Sequence, residues 1–197
     1  MKKTSRGFTL IEMMVAVSLF AIVMLVGVGA LLSLVQANAR AQAINSVMNN
    51  LNAALESMSR TIRVGTTYHC ETSSTPPSPG ILALPQDCPT ASYPNTNVLF
   101  AFEGANGDPN NPNDQIVYRL HGTQLERSLA AGASGTFVAI TAPEVSIDQF
   151  NFYVIGSARG DGVQPRVLMR IQGSALVPGG QTQFTVQASV VQRLLDI

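Results

Sequence analysis

The stretch that decides the fold is Phe8–Val35, FTLIEMMVAVSLFAIVMLVGVGALLSLV, which is almost wholly apolar. Its one charged residue is Glu12, and the next charge in the chain is Arg40. About 20 helical residues span the ~30 Å hydrocarbon core of a bilayer, so this run is long enough to cross a membrane. Two lysines and an arginine lie within the first six residues, and no lysine follows the run. The pattern predicts a membrane-inserted helix whose amino-terminal end faces the cytoplasm.

Three interpretations of this segment compete. A secretory signal peptide has a basic start, an apolar core of about 7–15 residues and a small-residue cleavage site. Ala37-Asn38-Ala39 could provide that site, but the apolar run is too long and carries Glu12 at its beginning. An ordinary transmembrane anchor accounts for the length of the run, but not for a carboxylate at the membrane end of the helix. The third interpretation depends on the residues around that carboxylate.

The segment Gly7-Phe8-Thr9-Leu10-Ile11-Glu12 resembles the prepilin motif of type IV pilins, pseudopilins and related filament subunits. In that family a membrane peptidase cuts after the glycine on the cytoplasmic side and methylates the new terminal phenylalanine. The resemblance therefore implies cleavage between Gly7 and Phe8 and N-methylation of Phe8. It also implies that Glu12 pairs with the terminal amine of an adjacent subunit during assembly.

The same resemblance implies partners and a location. The expected partners are other pilin subunits in a homo- or hetero-oligomeric filament, the prepilin peptidase and an inner-membrane assembly platform. The precursor is expected in the cytoplasmic (inner) membrane with its carboxy-terminal head outside. The mature subunit is expected in a pilus or pseudopilus, extracellular or periplasmic. No cofactor and no metal is expected.

The helix is predicted to continue beyond the membrane run, from Phe8 to Val64, because no proline interrupts it and Gly65 is a plausible stop. Apolar residues of the second half step by three and four along one face. They are Ile44, Val47, Met48, Leu51, Leu55, Met58 and Ile62. The first half should lie in lipid or among like helices, and the second half should pack on a soluble head. Gly27 and Gly29 allow either close helix packing or local melting in the first half.

Residues 65–97 are predicted to form a proline-rich loop that contains Cys70 and Cys88. An even number of cysteines outside the cytoplasm indicates one disulfide, and two separate buried thiols are the alternative. In the chain-entropy treatment, a bridge that closes this ~19-residue loop contributes about 3 kcal/mol.

Segments with apolar residues at every second position follow the loop and predict strands. Their apolar residues are Val98, Phe100 and Phe102; Ile116, Tyr118 and Leu120; Phe137 to Ile140; Val145, Ile147, Phe150, Phe152 and Val154; Val167, Met169 and Ile171; and Phe184, Val186, Ala188 and Val190. His121-Gly122 is predicted to be a two-residue turn into Gln124–Ser128. Consecutive strands without intervening helices predict an antiparallel sheet with one apolar face, which the helix stripe would cover.

The predicted fold class is therefore α+β, a long amino-terminal α-helix packed on an antiparallel β-sheet head, as in the pilin fold. Residues 1–7 would be the leader peptide, residues 8–39 the hydrophobic transmembrane or filament-core helix, and residues 40–197 the globular head. The head would combine the amphipathic half of the helix with the sheet.

Two further stretches narrow the resemblance. Ala54–Arg63, ALESMSRTIR, is similar to the helix that follows the membrane segment in minor pilins of the PilW type and J-type minor pseudopilins. Thr185–Arg193 is similar to their last strand. The resemblance implies a minor pilin or pseudopilin. A major pilin, a DNA-uptake (competence) pseudopilin and a single-pass membrane enzyme or receptor stay as alternatives.

Charge disfavours nucleic acid as a partner. The chain without residues 1–7 has nine arginines against twelve acidic residues, and DNA binding rests on clustered cations.

Asp108, Asn110 and Asp114 alternate as in a calcium loop, but Asn113 and Arg119 stand where that loop needs glycine and glutamate. A plain turn is predicted there. His69 and His121 have no catalytic partner nearby in the sequence, and no phosphate loop or dinucleotide fingerprint occurs. Catalysis is therefore not predicted.

Overall fold

The computed structural model describes residues 7–88, 99–108, 110–177 and 180–193. Of the predicted leader peptide, residues 1–7, residues 1–6 lie outside these ranges. The first element is a single helix, α1 (Leu10–Val64), of 55 residues and about 80 Å. It confirms the predicted long helix, although it begins two residues after Phe8. Gly27 and Gly29 do not interrupt it.

Gly65 ends α1 as predicted, but not for the reason that glycine usually ends a helix. Its backbone is extended, with φ −80° and ψ 167°, and not left-handed. A Cβ atom at this position would lie 2.3 Å from Cδ2 of Phe102 and 3.0 Å from the backbone oxygen of Glu103. The residue must therefore be glycine so that the sheet can approach the end of the helix closely.

The loop predicted at 65–97 is wrong in its first part. Residues Thr66–Glu71 form a strand, β1, and Pro79–Leu82 form one short helical turn, α2. Three consecutive residues of β1, Tyr68, His69 and Cys70, are buried, so the strand has no alternating pattern that a sequence could reveal. Its pairing with the next strand of the sheet, Leu99–Glu103, holds it in place. Residues 89–97 of the predicted loop, with Pro89 and Pro94, and the predicted strand residue Val98 lie outside the described residues.

Five strands form the first sheet in the order β1-β2-β3-β4-β5, and every neighbouring pair is antiparallel. After β1 they are β2 (Leu99–Glu103), β3 (Ile116–His121), β4 (Gln124–Ser128) and β5 (Val138–Ala139). The hairpin predicted at His121-Gly122 is displaced by one residue. His121 pairs with Gln124, so the two-residue turn is Gly122-Thr123, with Gly122 at φ +60°.

Three longer strands form a second sheet in the order β6-β7-β8, so the prediction of one sheet is wrong. They are β6 (Val145–Ile155), β7 (Arg166–Val177) and β8 (Gly180–Val191). The register of β6 shifts between Ile147 and Gln149. This bulge changes the phase of the alternation, so that Ile147 and Phe150 are both buried although they are three residues apart.

The second half of α1 covers the core, as predicted. Five residues of the predicted stripe are buried, Val47, Leu51, Leu55, Met58 and Ile62, and Ala54 is buried beside them. Ile44 and Met48, at the start of the stripe, are only partly buried. The hydroxyl of Tyr68 donates to the carbonyl oxygen of Ile62 at 2.7 Å, and burial raises the pKa of this phenol. The Tyr68 hydroxyl therefore stays protonated and remains a hydrogen-bond donor to the end of the helix.

The strand β2 departs from the prediction of one apolar face, because all five of its residues are buried. Phe100 and Phe102 belong to the main core under α1. Leu99 and Ala101 face the other way into a smaller core with Leu82 of α2. The short helix α2 therefore helps to cover a face of β2 that the sequence pattern left open to solvent.

Candidate functional site at the amino-terminal end of the helix

The junction between Gly7 and Phe8 lies in chain that is neither helix nor strand, two residues before α1 begins. Among the described residues, and apart from its chain neighbours, no atom lies within 4 Å of the position a Cβ would take at Gly7, and Phe8 is 79% exposed. A peptide bond in open, irregular chain can enter the cleft of a peptidase without prior unfolding of a helix.

The start of α1 is fixed by Thr9. Its side-chain oxygen accepts a hydrogen bond from the backbone N–H of Glu12 at 3.3 Å, and its backbone is extended. Thr9 is thus the N-cap and Glu12 the third helical residue, the spacing of a capping box. The sequence Thr-x-x-Glu carries this signal, which the sequence analysis missed. Because Thr9 lies after the Gly7–Phe8 bond, the cap does not depend on the leader.

Glu12 is exposed and lies in the first turn of the helix. The positive end of the helix dipole stabilises a negative charge at this position. The dipole gives this carboxylate a local role within one chain, whereas the cap at Thr9 uses only the backbone N–H of Glu12. A role between chains must therefore be tested against that local role.

From Met13 to Val35 the surface of α1 carries apolar residues on every side. Each large apolar side chain from Leu10 to Val35 is more than half exposed, from 51% at Val15 to 79% at Leu10. By length and composition this helix could cross a membrane, and none of its most apolar 18-residue window is buried in the head. An apolar surface this large needs lipid or other apolar helices around it.

Gly27 and Gly29 lie within this apolar surface. No atom lies within 4 Å of a Cβ built on either residue. Nothing in the head therefore requires a glycine at these positions. A neighbouring helix could approach closely there.

Cys70 and Cys88 are joined by a disulfide. Cys70 lies in β1 of the first sheet, whereas Cys88 exchanges backbone hydrogen bonds with Val154 of β6 in the second sheet. The bond therefore ties the two sheets together, a role that a loop-closing disulfide in the predicted single sheet would not have had.

The acidic segment after β2 forms turns, as predicted. The backbone N–H of Asp108 donates to Asp114 at 2.9 Å, and that of Asn110 donates to Asp108 at 3.0 Å. Glu103 is 5% exposed at the base of this segment, and burial, with the nearby Asp114 and Asp108, raises the pKa of its carboxyl group. Among the described residues no three His, Cys, Asp or Glu side chains are arranged to hold a metal ion.

The two histidines are far apart and have separate partners. His69 is buried, with Nδ1 2.8 Å from the oxygen of Leu84 and Nε2 3.1 Å from Glu71. His121 is exposed, with Nδ1 3.4 Å from a carboxylate oxygen of Glu126. The structure does not bring them together.

Comparison with known proteins identifies one part of the chain. Residues 2–28 match the family described as the prokaryotic N-terminal methylation motif. No curated protein and no solved structure matches the chain. The matched segment contains the Gly7–Phe8 junction, the Thr9 cap, Glu12 and the apolar surface as far as Val28.

Proposed function

We propose that this type IV pilin-like protein, which carries the prokaryotic N-terminal methylation motif on a helix of membrane length, is a minor pilin or pseudopilin. It would be a structural subunit, and not an enzyme, of an extracellular or periplasmic filament. The observation that carries the proposal is the order of three features along 30 residues. An open Gly7–Phe8 bond is followed at once by a capped helix start, and then by an apolar surface that the head leaves bare.

Processing would separate residues 1–7 from the rest. A prepilin peptidase in the cytoplasmic membrane would cut the Gly7–Phe8 bond and methylate the Phe8 amine. Residues 8–39 would hold the precursor in the membrane, and the head, residues 40–197, would lie outside. Basic residues at positions 2, 3 and 6 support this orientation.

Assembly would transfer α1 from lipid into a bundle of like helices at the filament core, driven by an inner-membrane platform. The environment of the apolar surface changes little in this transfer, because the neighbouring helices are as apolar as lipid tails. Glu12 would pair with the Phe8 amine of an adjacent subunit. Such a pair would neutralise two charges in an apolar bundle and fix the axial register of the helices.

The minor class is favoured over a major pilin by the similarity of Ala54–Arg63 and Thr185–Arg193 to PilW-type minor pilins and J-type minor pseudopilins. In the structure these segments lie in the last part of α1 and in β8, and the backbone N–H of Arg193 donates to the oxygen of Arg63 at 2.7 Å. The two similar segments thus meet at one end of the head.

The test is mass spectrometry of the protein recovered from sheared filaments. The expected amino terminus is N-methylphenylalanine at Phe8. A matched variant, Gly7→Val, should keep residues 1–7 and stay in the membrane fraction, because a branched side chain next to the scissile bond obstructs the peptidase. An intact leader, a terminus near Arg40, or a cleaved chain that never enters filaments would contradict the proposal.

A further inference from the structure

The strand β8 is an open edge of the second sheet. It pairs with β7 over twelve residues without a register shift. The opposite edge, β6, is partly covered, since Val154 bonds to Cys88 and the N–H of Ile147 donates to the oxygen of Thr123. Within the described ranges, no backbone group bonds to the outer side of β8.

The direction of the backbone groups of β8 follows from its neighbours. Both the N–H and the C=O of Val154 bond to Cys88, so Val154 does not use them on its partner Val167. The groups of Val167 therefore point to β8, where they meet Val190. Because the pattern alternates, every second residue of β8 turns its N–H and C=O outward. These residues are Gln181, Gln183, Thr185, Gln187, Ser189 and Val191, and the side chain of each is exposed.

This edge has none of the usual protection against strand pairing. Natural edge strands are commonly short, or carry lysine, proline or a bulge. The strand Gly180–Val191 is about twice the average length, and it contains no charged residue and no proline. An edge of this kind is suited to receive an added strand.

We infer that the outer edge of β8 binds an extended strand of a different subunit of the same filament, an inference that rests on the proposed function. The strand runs beside the second half of α1 in the same direction. Arg40 of the helix contacts Thr182 near its start, and the oxygen of Arg63 accepts from Arg193 just beyond its end. Lateral packing of the helices would therefore bring the head of a neighbouring subunit to this edge.

A second copy of the chain is a poor occupant. Subunits whose helices all point the same way along a filament are not related by a two-fold axis across it, so two β8 edges cannot face each other in antiparallel register. The other edges of the described head are short or covered. The strand β5 has two residues, β6 is bonded to Cys88, and the oxygen of Tyr68 in β1 accepts from Gln86.

The sheet also indicates the chemistry of the occupant. On the side of α1, Phe184, Val186 and Ala188 of β8 pack against the core but are only partly buried. On the other side the edge presents amide and hydroxyl side chains. The added strand should therefore alternate apolar residues, which complete the cover of these three side chains, with uncharged polar residues.

Thr185→Lys in the full chain tests the edge, with Gln172→Lys as the matched control. Thr185 and Gln172 are directly paired, Thr185 on the edge and Gln172 on the central strand β7. A charge on the edge should lower incorporation into filaments about tenfold, the factor that 1.4 kcal/mol gives, whereas the control should assemble normally. If the unaltered chain is present in filaments and the two variants are incorporated equally, strand addition is overturned and the proposed function is not. Absence of the unaltered chain from filaments would overturn the proposed function as well.

Amide hydrogen exchange of the full chain, in detergent and in filaments, gives a second readout. Strand addition should slow exchange at Gln183, Thr185 and Gln187 and leave the alternating residues, already bonded to β7, unchanged. A photoreactive residue at position 185 should crosslink to a peptide of another subunit that carries a methylation motif. Uniform protection without alternation, or a crosslink only to a second copy of this chain, would overturn the inference.

Discussion

The two halves of α1 are one continuous helix, yet they relate to the rest of the chain in opposite ways. From Leu10 to Val35 the large apolar side chains are all exposed. From Val47 to Ile62 six residues on one face are buried under the sheets. The backbone is the same in both halves, so the difference lies in which side chains occupy the helix surface and what is available to cover them.

This contrast teaches that hydrophobicity alone does not place a segment in the core of its own chain. The first half has apolar residues on all sides, and one head can cover only one side of a helix. The second half confines most of its large apolar residues to a stripe, which the two sheets bury from Val47 to Ile62. The first half therefore depends on an environment outside the chain, and the second half does not.

Substitution of Glu12 should break the function of the first half most completely. Glu12→Ala should still insert and be cleaved, but its incorporation into filaments should fall at least about tenfold. The cap at Thr9 uses the backbone N–H of Glu12, so this bond survives loss of the side chain. Glu12→Gln tests the charge itself, since glutamine also suits the third helical position of a capping box but carries no charge.

If charge pairing matters, Glu12→Gln should fail like Glu12→Ala, and Glu12→Asp should be intermediate because it is one methylene shorter. The measurement is the amount of each variant in sheared filaments, with cleavage checked in the same cells. Normal assembly of Glu12→Gln would show that the charge is not needed and would remove the intersubunit pair.

The second half of α1 can be tested in a head that begins at Arg40, which should fold alone because the buried residues of α1 all lie at or beyond Val47. Leu51 is fully buried, and its neighbour Asn52 is exposed. Leu51→Asp should lower the free energy of unfolding by about 4 kcal/mol, since it buries an unpaired charge. Asn52→Asp should change it by less than about 0.5 kcal/mol. Thermal melting that is the same for both variants would show that the stripe does not pack there.

Loss of the disulfide should have the next largest effect on the head and none on the first half of α1. Replacement of both Cys70 and Cys88 by alanine should lower the free energy of unfolding by about 3 kcal/mol. The reason is that the loop between these two residues, 18 positions apart, is no longer closed and the covalent link between the two sheets is lost. Chemical denaturation of oxidised, reduced and substituted heads measures this difference. Non-reducing peptide mapping should recover the Cys70–Cys88 pair, and two alkylatable thiols in the mature protein would contradict it.

The smallest expected effect concerns the end of the second half. Gly65→Ala should destabilise the head by about 1–3 kcal/mol, the usual result of overpacking, because the new Cβ meets the ring of Phe102. Gly80→Ala is the control, since no atom lies within 4 Å of a Cβ there. Equal stability of the two variants, measured by thermal unfolding, would mean that the sheet does not approach the helix end as closely as described.

Local patterns in the sequence were sufficient for the features that depend on neighbours along the chain. The long helix, its stop at Gly65, the buried stripe and most strands follow from periodicity and from the absence of proline. The capping box at Thr9 and Glu12 was also present in the sequence and was overlooked. The methylation motif is local too, because it is one continuous segment, residues 2–28.

Features that depend on distant residues were decided by the tertiary structure. The strand β1 has no alternating pattern of burial, because distant residues contact it from several sides. It pairs with β2, Tyr68 bonds to Ile62 of α1 and to Gln86, and His69 contacts Leu84. The split into two sheets, with Cys70 in one and Cys88 against the other, depends on pairings that span the head. The open edge of β8 likewise follows from the order of strands, which the alternation of its side chains does not contain. Hydrophobic periodicity records which side of a segment is covered, but strand order and edges are set by long-range hydrogen bonds between backbones, and these carry no side-chain signature.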